Sequence, residues 1–314
     1  MKINILKKKN ITYKKANKQH IIKLLSLYNK FYPSSRWNIK TIEWEYFNNP
    51  FGKARIFLAL SGEKIVGITT SIPVRTKIQN NTYKGYRVQN VLVDKNYRGQ
   101  GIFNKLLSNN NNYLDKCTDI NISFPNEKSL PFFIKTNWST VCKIPLFEKK
   151  IKKIEKINLN YKLIPEFTNI HKDIWEKNLI NKLDITCSKK YLNWRFVLNP
   201  KYKYHIFEVI IENKPIGFII LKKYYGSDKI KIGHIVKLSC PEDCMLDVIN
   251  FANNYFYNLS IKKISMWSIN NSGISMSNLK FKRKPLEDRF FICRNSKKIN
   301  SNKWNLSMSF SDVY

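Results

Sequence analysis

Residues 88–107, VQNVLVDKNYRGQGIFNKLL, hold the clearest structural pattern in this chain. The first six are rich in valine, which is typical of a buried β-strand. Gly99 and Gly101 allow a tight turn in which successive backbone N–H groups point into one concavity. From Ile102 onward, apolar residues recur at helical spacing, so the turn precedes a helix N-terminus, where the dipole attracts anions. The stretch therefore predicts a phosphate-binding loop between a strand and a helix.

The same stretch resembles the acetyl-CoA-binding segment of the GNAT superfamily of N-acetyltransferases. The family pattern, a valine-rich strand followed by Arg/Gln-x-x-Gly-x-Gly/Ala, fits Val91-Leu92-Val93 and Arg98-Gly-Gln-Gly-Ile. Phe103 departs from it, because a small residue normally follows the isoleucine. The resemblance implies that acetyl-CoA is the co-substrate and that this strand splays from its neighbour to bond the pantetheine arm. It implies these cofactor-binding residues: Val91, Val93, Arg98, Gly99, Gln100, Gly101, Ile102, Phe103 and Asn126.

The flanking sequence predicts the rest of such a domain. Upstream, apolar patterns predict a strand, a helix and a hairpin over Ile11–Ala16, Ile21–Tyr28, Ile56–Leu60 and Ile65–Pro73. Downstream, Ile120–Phe124 predicts a buried strand that Asn126 follows, and Asn137 is expected to take the left-handed conformation that ends a helix. The predicted fold class is α/β (α+β), with a mixed, mostly antiparallel sheet flanked by helices.

The catalytic residues are not identified by the sequence. Phe133 stands where many members of the family have a tyrosine that protonates the departing thiolate, so that general acid is missing. The family often has a carboxylate near Gln89, where this chain has none. Glu43, Glu45 and Glu127 are the substitutes considered, but each is expected at the surface or at a helix cap, and no general base is assigned.

A repeat relates the two halves of the chain. Six residues recur after 150 positions without a gap: Trp44, Asn49, Pro50, Ile56, Phe57 and Gly67 reappear as Trp194, Asn199, Pro200, Ile206, Phe207 and Gly217. Asn270–Phe281 also resembles Asn126–Trp138. We therefore predict two tandem GNAT-like domains, residues 1–148 and 149–314. The second has Cys240-Pro-Glu-Asp-Cys244 in place of the glycine loop, so only the first is expected to bind a diphosphate.

The composition agrees with two domains and gives little support to other classes. The chain has 314 residues, 43% of them hydrophobic, which suffices for two cores. Its 56 Lys and Arg exceed 22 Asp and Glu, and the net charge of +34 would attract polyanions. Because the excess is spread over the chain, a solvated surface without a partner is the favoured interpretation. The densest clusters are Lys7–Lys9, Lys149–Lys156 and Lys280–Lys284.

The hydropathy pattern predicts the cellular compartment of the protein, and the compartment predicts the state of its cysteines. No run of 18 apolar residues occurs, and the first ten residues are charged where a signal peptide is apolar, so a cytoplasmic protein is expected. Six cysteines are then expected as reduced thiols. Cys240, Cys244 and His234 are loosely spaced without an evident fourth ligand, and no metal site is predicted.

The resemblance implies an N-acetyltransferase acting on an amine of a small or carrier-linked acceptor. Tandem proteins with a Trp-x-Tyr/Phe-x-x-Asn-Pro element resemble bacterial enzymes of surface-polysaccharide synthesis, which suggests an amino sugar as the acceptor. Two alternatives remain open. A Fem-type aminoacyl transferase would use tRNA, although the intact Arg98–Gly101 loop favours CoA over nucleic acid. A non-catalytic module would bind CoA or a partner without turnover.

Overall fold

A computed structural model of the chain describes residues 10–33, 37–179, 182–225, 231–267, 276–285, 288–294 and 303–311. The cluster Lys7–Lys9 and the first half of Asn270–Phe281 lie outside these residues. The chain folds into two compact units. The first comprises Met1–Val74, Lys84–Thr140 and Ile292–Lys297, and the second comprises Arg75–Tyr83, Val141–Phe291 and Lys298–Tyr314. The division at residue 148 stays a prediction, and these units differ from it by the exchanged segments.

The first repeat contains the elements expected from the sequence in the expected order. They are β1 (Thr12–Lys15), α1 (Ile21–Phe31), α2 (Ile39–Tyr46), β2 (Arg55–Ser61), β3 (Lys64–Ile78), β4 (Asn81–Val93), α3 (Ile102–Leu114), β5 (Ile120–Ser123) and α4 (Leu130–Ile134). Asn38 caps α2, because its side chain accepts a hydrogen bond from the N–H of Thr41 at 2.8 Å. Asn137 has a φ of 61°, as predicted for the end of α4.

The rest of the chain contains a second set of elements. They are β6 (Ser139–Ile144), β7 (Leu146–Lys150), β8 (Asn160–Leu163), α5 (Asn169–Asn178), β9 (Asp184–Ile185), α6 (Lys189–Leu192), β10 (Tyr204–Ile211), β11 (Lys214–Tyr225), β12 (Lys231–Ser239), α7 (Met245–Asn258), β13 (Lys263–Trp267), β14 (Lys282–Arg283) and β15 (Arg289–Arg294). A π-helical turn, Asn193–Val197, follows α6. Within the described parts of the chain, no helix is both long and apolar enough to cross a bilayer.

The sheet of the first unit has the order β1-β2-β3-β4-β5, followed by the end of β15. β4 and β5 run parallel, whereas β1 and β3 are antiparallel to β2. Alternate side chains of β2 point to opposite faces of the sheet. Ile56 and Leu58 pack in the core formed with α1 and α2, and Ala59 packs with α3. The sheet therefore separates α1 and α2 from α3.

The second unit repeats this arrangement. Its sheet has the order β8-β10-β11-β12-β13-β7-β14, and β12 and β13 run parallel. The repeat is visible in the register, because Ala59 pairs with Gly67 and Val209 pairs with Gly217, each 150 positions later. In both hairpins the register shifts directly after that pair. The mixed α/β fold class predicted from the sequence is confirmed.

One strand of each sheet comes from a distant part of the chain. Residues 292–294 of β15 pair antiparallel with β5 in the first unit. In the second unit, β7 pairs antiparallel with β13, more than a hundred residues later. Both parallel strand pairs are therefore flanked by an antiparallel strand that their own repeat does not supply.

Candidate functional site

The end of β4 extends past its parallel partner. The register between β4 and β5 runs from the Gly85–Ile120 pair to the Val88–Ser123 pair, where β5 ends, and β4 continues to Val93. Asn90 has a φ of 51°, which is uncommon for a residue other than glycine and marks a bulge. The ladder with β5 therefore ends at Val88 and leaves one backbone edge of β4 outside it, at the place where this strand was predicted to splay.

The loop after β4 is held by a buried carboxylate. Asp94 accepts a hydrogen bond from the N–H of Asn96 at 3.1 Å and one from the Lys30 ammonium at 2.7 Å. The bond from Lys30 holds the pKa of Asp94 below its ordinary value. Arg98 donates from Nε to the carbonyl oxygen of Val93 at 3.2 Å, which ties the loop back to its strand.

Two glycines give the loop its path into α3. Gly99 and Gly101 have φ angles of 77° and 74°, a region that other L-residues rarely adopt. Gly101 is the N-cap of α3, and no side chain caps this helix end. Apart from the adjacent residues, no heavy atom in the described part of the chain lies within 4 Å of the position that a Cβ would take on either glycine. The first-turn N–H groups of α3 thus adjoin open space, which is a favourable arrangement for an anion.

A cleft of about 640 Å³ joins this loop to the end of β4. Its lining includes all but one of the residues that the sequence predicted: Val91, Val93, Arg98, Gly99, Gly101, Ile102, Phe103 and Asn126. The exception is Gln100, whose side-chain oxygen is buried without a hydrogen-bond partner among the described residues. The lining also contains residues that were not predicted from the sequence: Phe31, Leu92, Tyr97, Asn104, Lys128, Ser129 and Phe132.

On the α4 side of the cleft, the residue at the family's tyrosine position does not line the cleft, and its neighbour does. Phe133, which stands at the family's tyrosine position, is buried and packs edge-on against Trp138 at 5.3 Å between ring centroids. The ring that α4 presents to the cleft is Phe132, which is 38% exposed. Asn126 accepts hydrogen bonds from the N–H and hydroxyl of Ser129, so its side-chain oxygen is used in the turn before α4.

A buried polar cluster connects α2 to β4 just before the bulge. Gln89 donates from Nε2 to Oε1 of Glu45 at 2.7 Å, and Arg87 Nη2 lies 3.5 Å from the same oxygen. Glu45 is only 5% exposed, so the expectation of a surface or capping role is wrong for this residue. The reason is that α2 buries one face and β4, distant in sequence, supplies the partners. Glu43 and Glu127 are exposed.

The corresponding connection in the second unit lacks these features. A 3₁₀ turn, Glu242–Cys244, leads into α7, and the N-cap Cys244 has a right-handed φ of −83°. In the first turn of α7, Asp247 accepts hydrogen bonds from the Tyr161 hydroxyl at 2.6 Å and from the N–H of Asn158. A helix N-terminus that already adjoins carboxylates does not favour a phosphate.

The cysteines of this connection behave as buried thiols. Burial raises the pKa of Cys240 to about 12 and that of Cys244 to about 11, so both are protonated at neutral pH. Burial lowers the pKa of His234 to about 3, and its Nδ1 lies 2.7 Å from the Ser265 hydroxyl. Among the residues that the structure describes, no group of three or more His, Cys, Asp or Glu side chains is arranged to hold a metal ion.

The first repeat matches a known domain family. Residues 12–140 match the family model described as an acetyltransferase (GNAT) domain. The match covers β1 to α4 and therefore includes every residue that lines the cleft. No curated protein sequence matches the chain.

Solved structures share the fold over most of the chain. A GCN5-related N-acetyltransferase from Anabaena variabilis has a TM-score of 0.71 and 14% identity, covering 92% of this chain and 73% of that one. A probable N-acyltransferase from Enterococcus faecalis has a TM-score of 0.69 and 12% identity, covering 92% and 74%. N-myristoyltransferase from Saccharomyces cerevisiae with bound myristoyl-CoA has a TM-score of 0.66 and 11% identity, covering 91% and 79%. At these identities the likeness is one of fold.

Proposed function

We propose, from the premise that residues 12–140 are an acetyltransferase domain of the GNAT family, that this chain transfers an acyl group from a CoA thioester to an amine. The observation that carries the proposal is one continuous cleft that joins the extended end of β4 to the glycine loop before α3. A CoA thioester is a linear molecule of nucleotide, diphosphate and pantetheine. The cleft offers complementary groups to the last two in that order.

We assign the diphosphate to the N-terminal end of α3. The open space around Gly99 and Gly101 lets phosphate oxygens approach the backbone N–H groups directly. The helix dipole adds about 0.3–1 kcal/mol for each favourable charge at such an exposed end. Arg98 acts here as a positioning residue, because its Nε already bonds the carbonyl oxygen of Val93.

We assign the pantetheine arm to the edge of β4 from Val91 to Val93. Because β5 ends at Ser123, the amides of pantetheine can take the place of a neighbouring strand and satisfy backbone groups of β4. In this orientation the thioester lies toward the Asn90 bulge. Glu45 serves to fix that part of β4, because its Oε1 accepts a hydrogen bond from Gln89 and lies 3.5 Å from Arg87 Nη2.

The reaction at the thioester is direct acyl transfer. A neutral acceptor amine attacks the acyl carbonyl, the new N–C bond forms, the C–S bond breaks, and CoA leaves as a thiolate that takes up the proton lost by the amine nitrogen. A backbone N–H of the β4 edge is suited to stabilise the oxyanion that develops on the carbonyl. Holding both reactants in one cleft supplies much of the rate enhancement through orientation.

Acetyl-CoA is the donor that we propose, in keeping with the family of the first repeat. An amino sugar of surface-polysaccharide synthesis is the acceptor class, supported by the Trp44-x-Tyr46-x-x-Asn49-Pro50 element of this chain. Because acetyl-CoA is a cytoplasmic metabolite, the proposal places the enzyme in the cytoplasm.

Two measurements on the full chain test the proposal. Isothermal titration with acyl-CoA thioesters of increasing length should give binding, tightest for acetyl-CoA if the donor assignment is correct. Release of free CoA thiol should then be followed with a panel of amines that includes amino sugars, free and nucleotide-linked. Binding of a longer acyl-CoA alone would correct the donor. Failure to bind any acyl-CoA, together with salt-sensitive retention of tRNA, would overturn the proposal.

A further inference from the structure

One end of the second unit's sheet brings several strand ends together. Because β8 and β11 both run antiparallel to β10, the end of β8, the start of β10 and the end of β11 lie side by side. Tyr204 at the start of β10 pairs with Lys222 of β11, and Tyr225 pairs with Lys231 at the start of β12. We call this part of the second unit the β10 end, and it comprises residues 163–165, 196–206, 222–225 and 231.

A groove of about 780 Å³ is formed at the β10 end. Leu163 and Pro165 line it at the end of β8, and Val197 lines it from the π-helical turn. Tyr202 and His205 line it where the chain enters β10. No described residue of this lining is an Asp or Glu, and none belongs to the cleft of the first unit. The groove is therefore a second, separate cleft without acidic side chains.

Large apolar side chains are exposed around this groove. Leu163 is 59% exposed and Val197 is 38% exposed, and Leu198, next to Val197 in the chain, is 66% exposed. On β11, Tyr225 is 61% exposed. Single exposed apolar residues are common on protein surfaces, but several on neighbouring segments mark a surface that contacts another molecule or a membrane.

Lysines lie among these exposed side chains. Lys201 and Lys203 line the groove, and Lys223 and Lys231 lie on β11 and β12 at the same end of the sheet. Burial, together with the charges of Lys223 and Lys203, lowers the pKa of His205 below its ordinary value. The electrostatic potential at the groove is therefore positive.

A buried lysine adds to this potential. Lys222 Nζ lies 3.5 Å from the centroid of the Tyr202 ring, which lines the groove. Burial, followed by the charges of Arg195 and Lys201, lowers the pKa of Lys222 to about 7. An anion at the groove favours the charged form of Lys222, so anion binding and protonation of this lysine support one another.

The combination of side chains at the β10 end distinguishes between polyanions. A nucleic acid binds lysine through its phosphates, but it offers no apolar surface that would cover protruding aliphatic side chains. An anionic bilayer accepts both kinds of residue. Its headgroups attract lysine, and its interfacial region takes up leucine, valine and tyrosine side chains. The net charge of +34 also steers the whole chain toward such a surface.

We propose that the β10 end docks on a bilayer that contains anionic lipids, with Leu163 and Leu198 inserted among the headgroups and Lys201 and Lys203 against the lipid phosphates. The inference goes beyond acyl transfer and does not depend on it, because none of the groove residues lines the cleft of the first unit. It also gives part of the excess positive charge a partner, where the sequence favoured a solvated surface.

The test measures binding of the full chain to vesicles by co-sedimentation. One set of vesicles contains phosphatidylcholine alone, and the other contains phosphatidylcholine mixed with phosphatidylglycerol. Lys203→Glu and Leu198→Ser change the β10 end. Their matched controls are Lys214→Glu and Ile211→Ser, two exposed residues that pair with each other at the opposite end of the β10–β11 hairpin. Urea unfolding checks that all four variants remain folded.

The expected result depends on both charge and apolar contact. The native chain should bind the mixed vesicles and not phosphatidylcholine alone, and added salt should weaken this binding. Lys203→Glu and Leu198→Ser should each lower the affinity for mixed vesicles about 10-fold. Each control should stay within about twofold of the native chain, although Lys214→Glu changes the net charge as much as Lys203→Glu does.

Three results would overturn the inference, and none of them bears on acyl-CoA binding. The first is a native chain that does not bind anionic vesicles. The second is an equal loss of binding in the variants and their controls, which would assign vesicle attraction to the net charge of the whole surface. The third is salt-sensitive retention of RNA that Lys203→Glu weakens and Leu198→Ser does not, without vesicle binding, which would make the partner a nucleic acid.

Discussion

The β4–α3 loop and the β12–α7 connection follow equivalent strands in two copies of one fold, yet they differ in backbone conformation and in charge. In the first unit, Gly99 and Gly101 adopt left-handed angles and leave α3 without a side-chain cap. In the second, the N-cap Cys244 of α7 has a right-handed conformation, and the Asp247 carboxylate lies in the first turn of the helix. The comparison teaches that two sheets with the same strand order can differ, through a few loop residues, in whether a helix N-terminus favours an anion.

The interior of the two units differs at equivalent positions as well. Residue 45 is a glutamate and residue 195 an arginine, 150 positions apart and both buried. Arg195 donates hydrogen bonds to the Tyr204 hydroxyl and the Ser311 carbonyl oxygen, whereas Glu45 accepts from Gln89. Each copy therefore has its own buried polar network beside an equivalent hairpin.

The largest expected effect comes from making the first loop resemble the second. Gly101→Asp introduces a carboxylate and a side chain at a φ of 74°, so both charge repulsion and backbone strain oppose diphosphate binding. We expect acyl-CoA affinity to fall by about 100-fold or more, measured by isothermal titration. The matched control is Asp243→Ala in the second connection, which should not alter it. Normal binding by Gly101→Asp would contradict the assignment of the loop.

The second prediction concerns a buried ion pair of the second unit. Lys237 Nζ lies 2.7 Å from Asp184 Oδ2, and both side chains are almost fully buried. Burial alone would lower the pKa of Lys237, but the adjacent Asp184 carboxylate outweighs it and raises that pKa. Lys237→Met should reduce the free energy of unfolding by about 3–5 kcal/mol, measured in urea.

A double-mutant cycle makes that measurement specific to the pair. Asp184→Asn combined with Lys237→Met should cost clearly less than the sum of the two single changes, because each single change leaves a buried charge without its counter-ion. Simple additivity would mean that the two groups do not stabilise one another.

The third prediction applies to the network of the first unit. Glu45→Gln keeps the shape of the side chain but removes the charge that pairs with Arg87, and we expect a loss of about 1–3 kcal/mol in the free energy of unfolding. The control is Glu43→Gln, two residues earlier on the exposed face of α2, with a change within about 0.5 kcal/mol. Equal effects at both positions would show that the burial of Glu45 has no energetic consequence.

The smallest expected effect is a pH-dependent one. The pKa of Asp94 is lowered in the folded state, so its carboxylate stabilises the fold above the ordinary aspartate pKa of about 3.8 and this contribution is lost as the pH falls below it. Asp94→Asn should cost about 1 kcal/mol at pH 7, since Lys30 is half-exposed and the pair is screened. The difference from the native chain should vanish by about pH 2. A difference that persists unchanged at that pH would exclude the ionised pair as its cause.

Features encoded over short stretches were predictable from the sequence. The valine-rich strand, the glycines and the apolar positions of α3 are contiguous, so their conformations follow from local stereochemistry. The repeat was also predictable, because Trp44, Asn49 and Gly67 have counterparts at a fixed spacing, and Gly67 and Gly217 take equivalent places in the two hairpins.

Features that depend on distant partners were not predictable. The burial of Glu45 follows from contacts with Arg87 and Gln89 on β4, more than forty residues away. The sequence also did not predict which of Phe132 and Phe133 lines the cleft. The reason is that α4 has only five residues and its orientation is set by the packing of Phe133 on Trp138. Patterns of a few residues carry no information on such pairings.

The late position of β15 in the sequence affects how this protein is synthesised. Residues 292–294 complete the edge of β5, so that edge stays open while the ribosome makes almost the entire chain. An unpaired strand edge is a template for aggregation in nascent polypeptides. A truncated gene that encodes only the first repeat would therefore leave this edge of β5 unpaired, which favours an insoluble product. In the full-length chain, chaperones would protect the same edge until β15 has been synthesised.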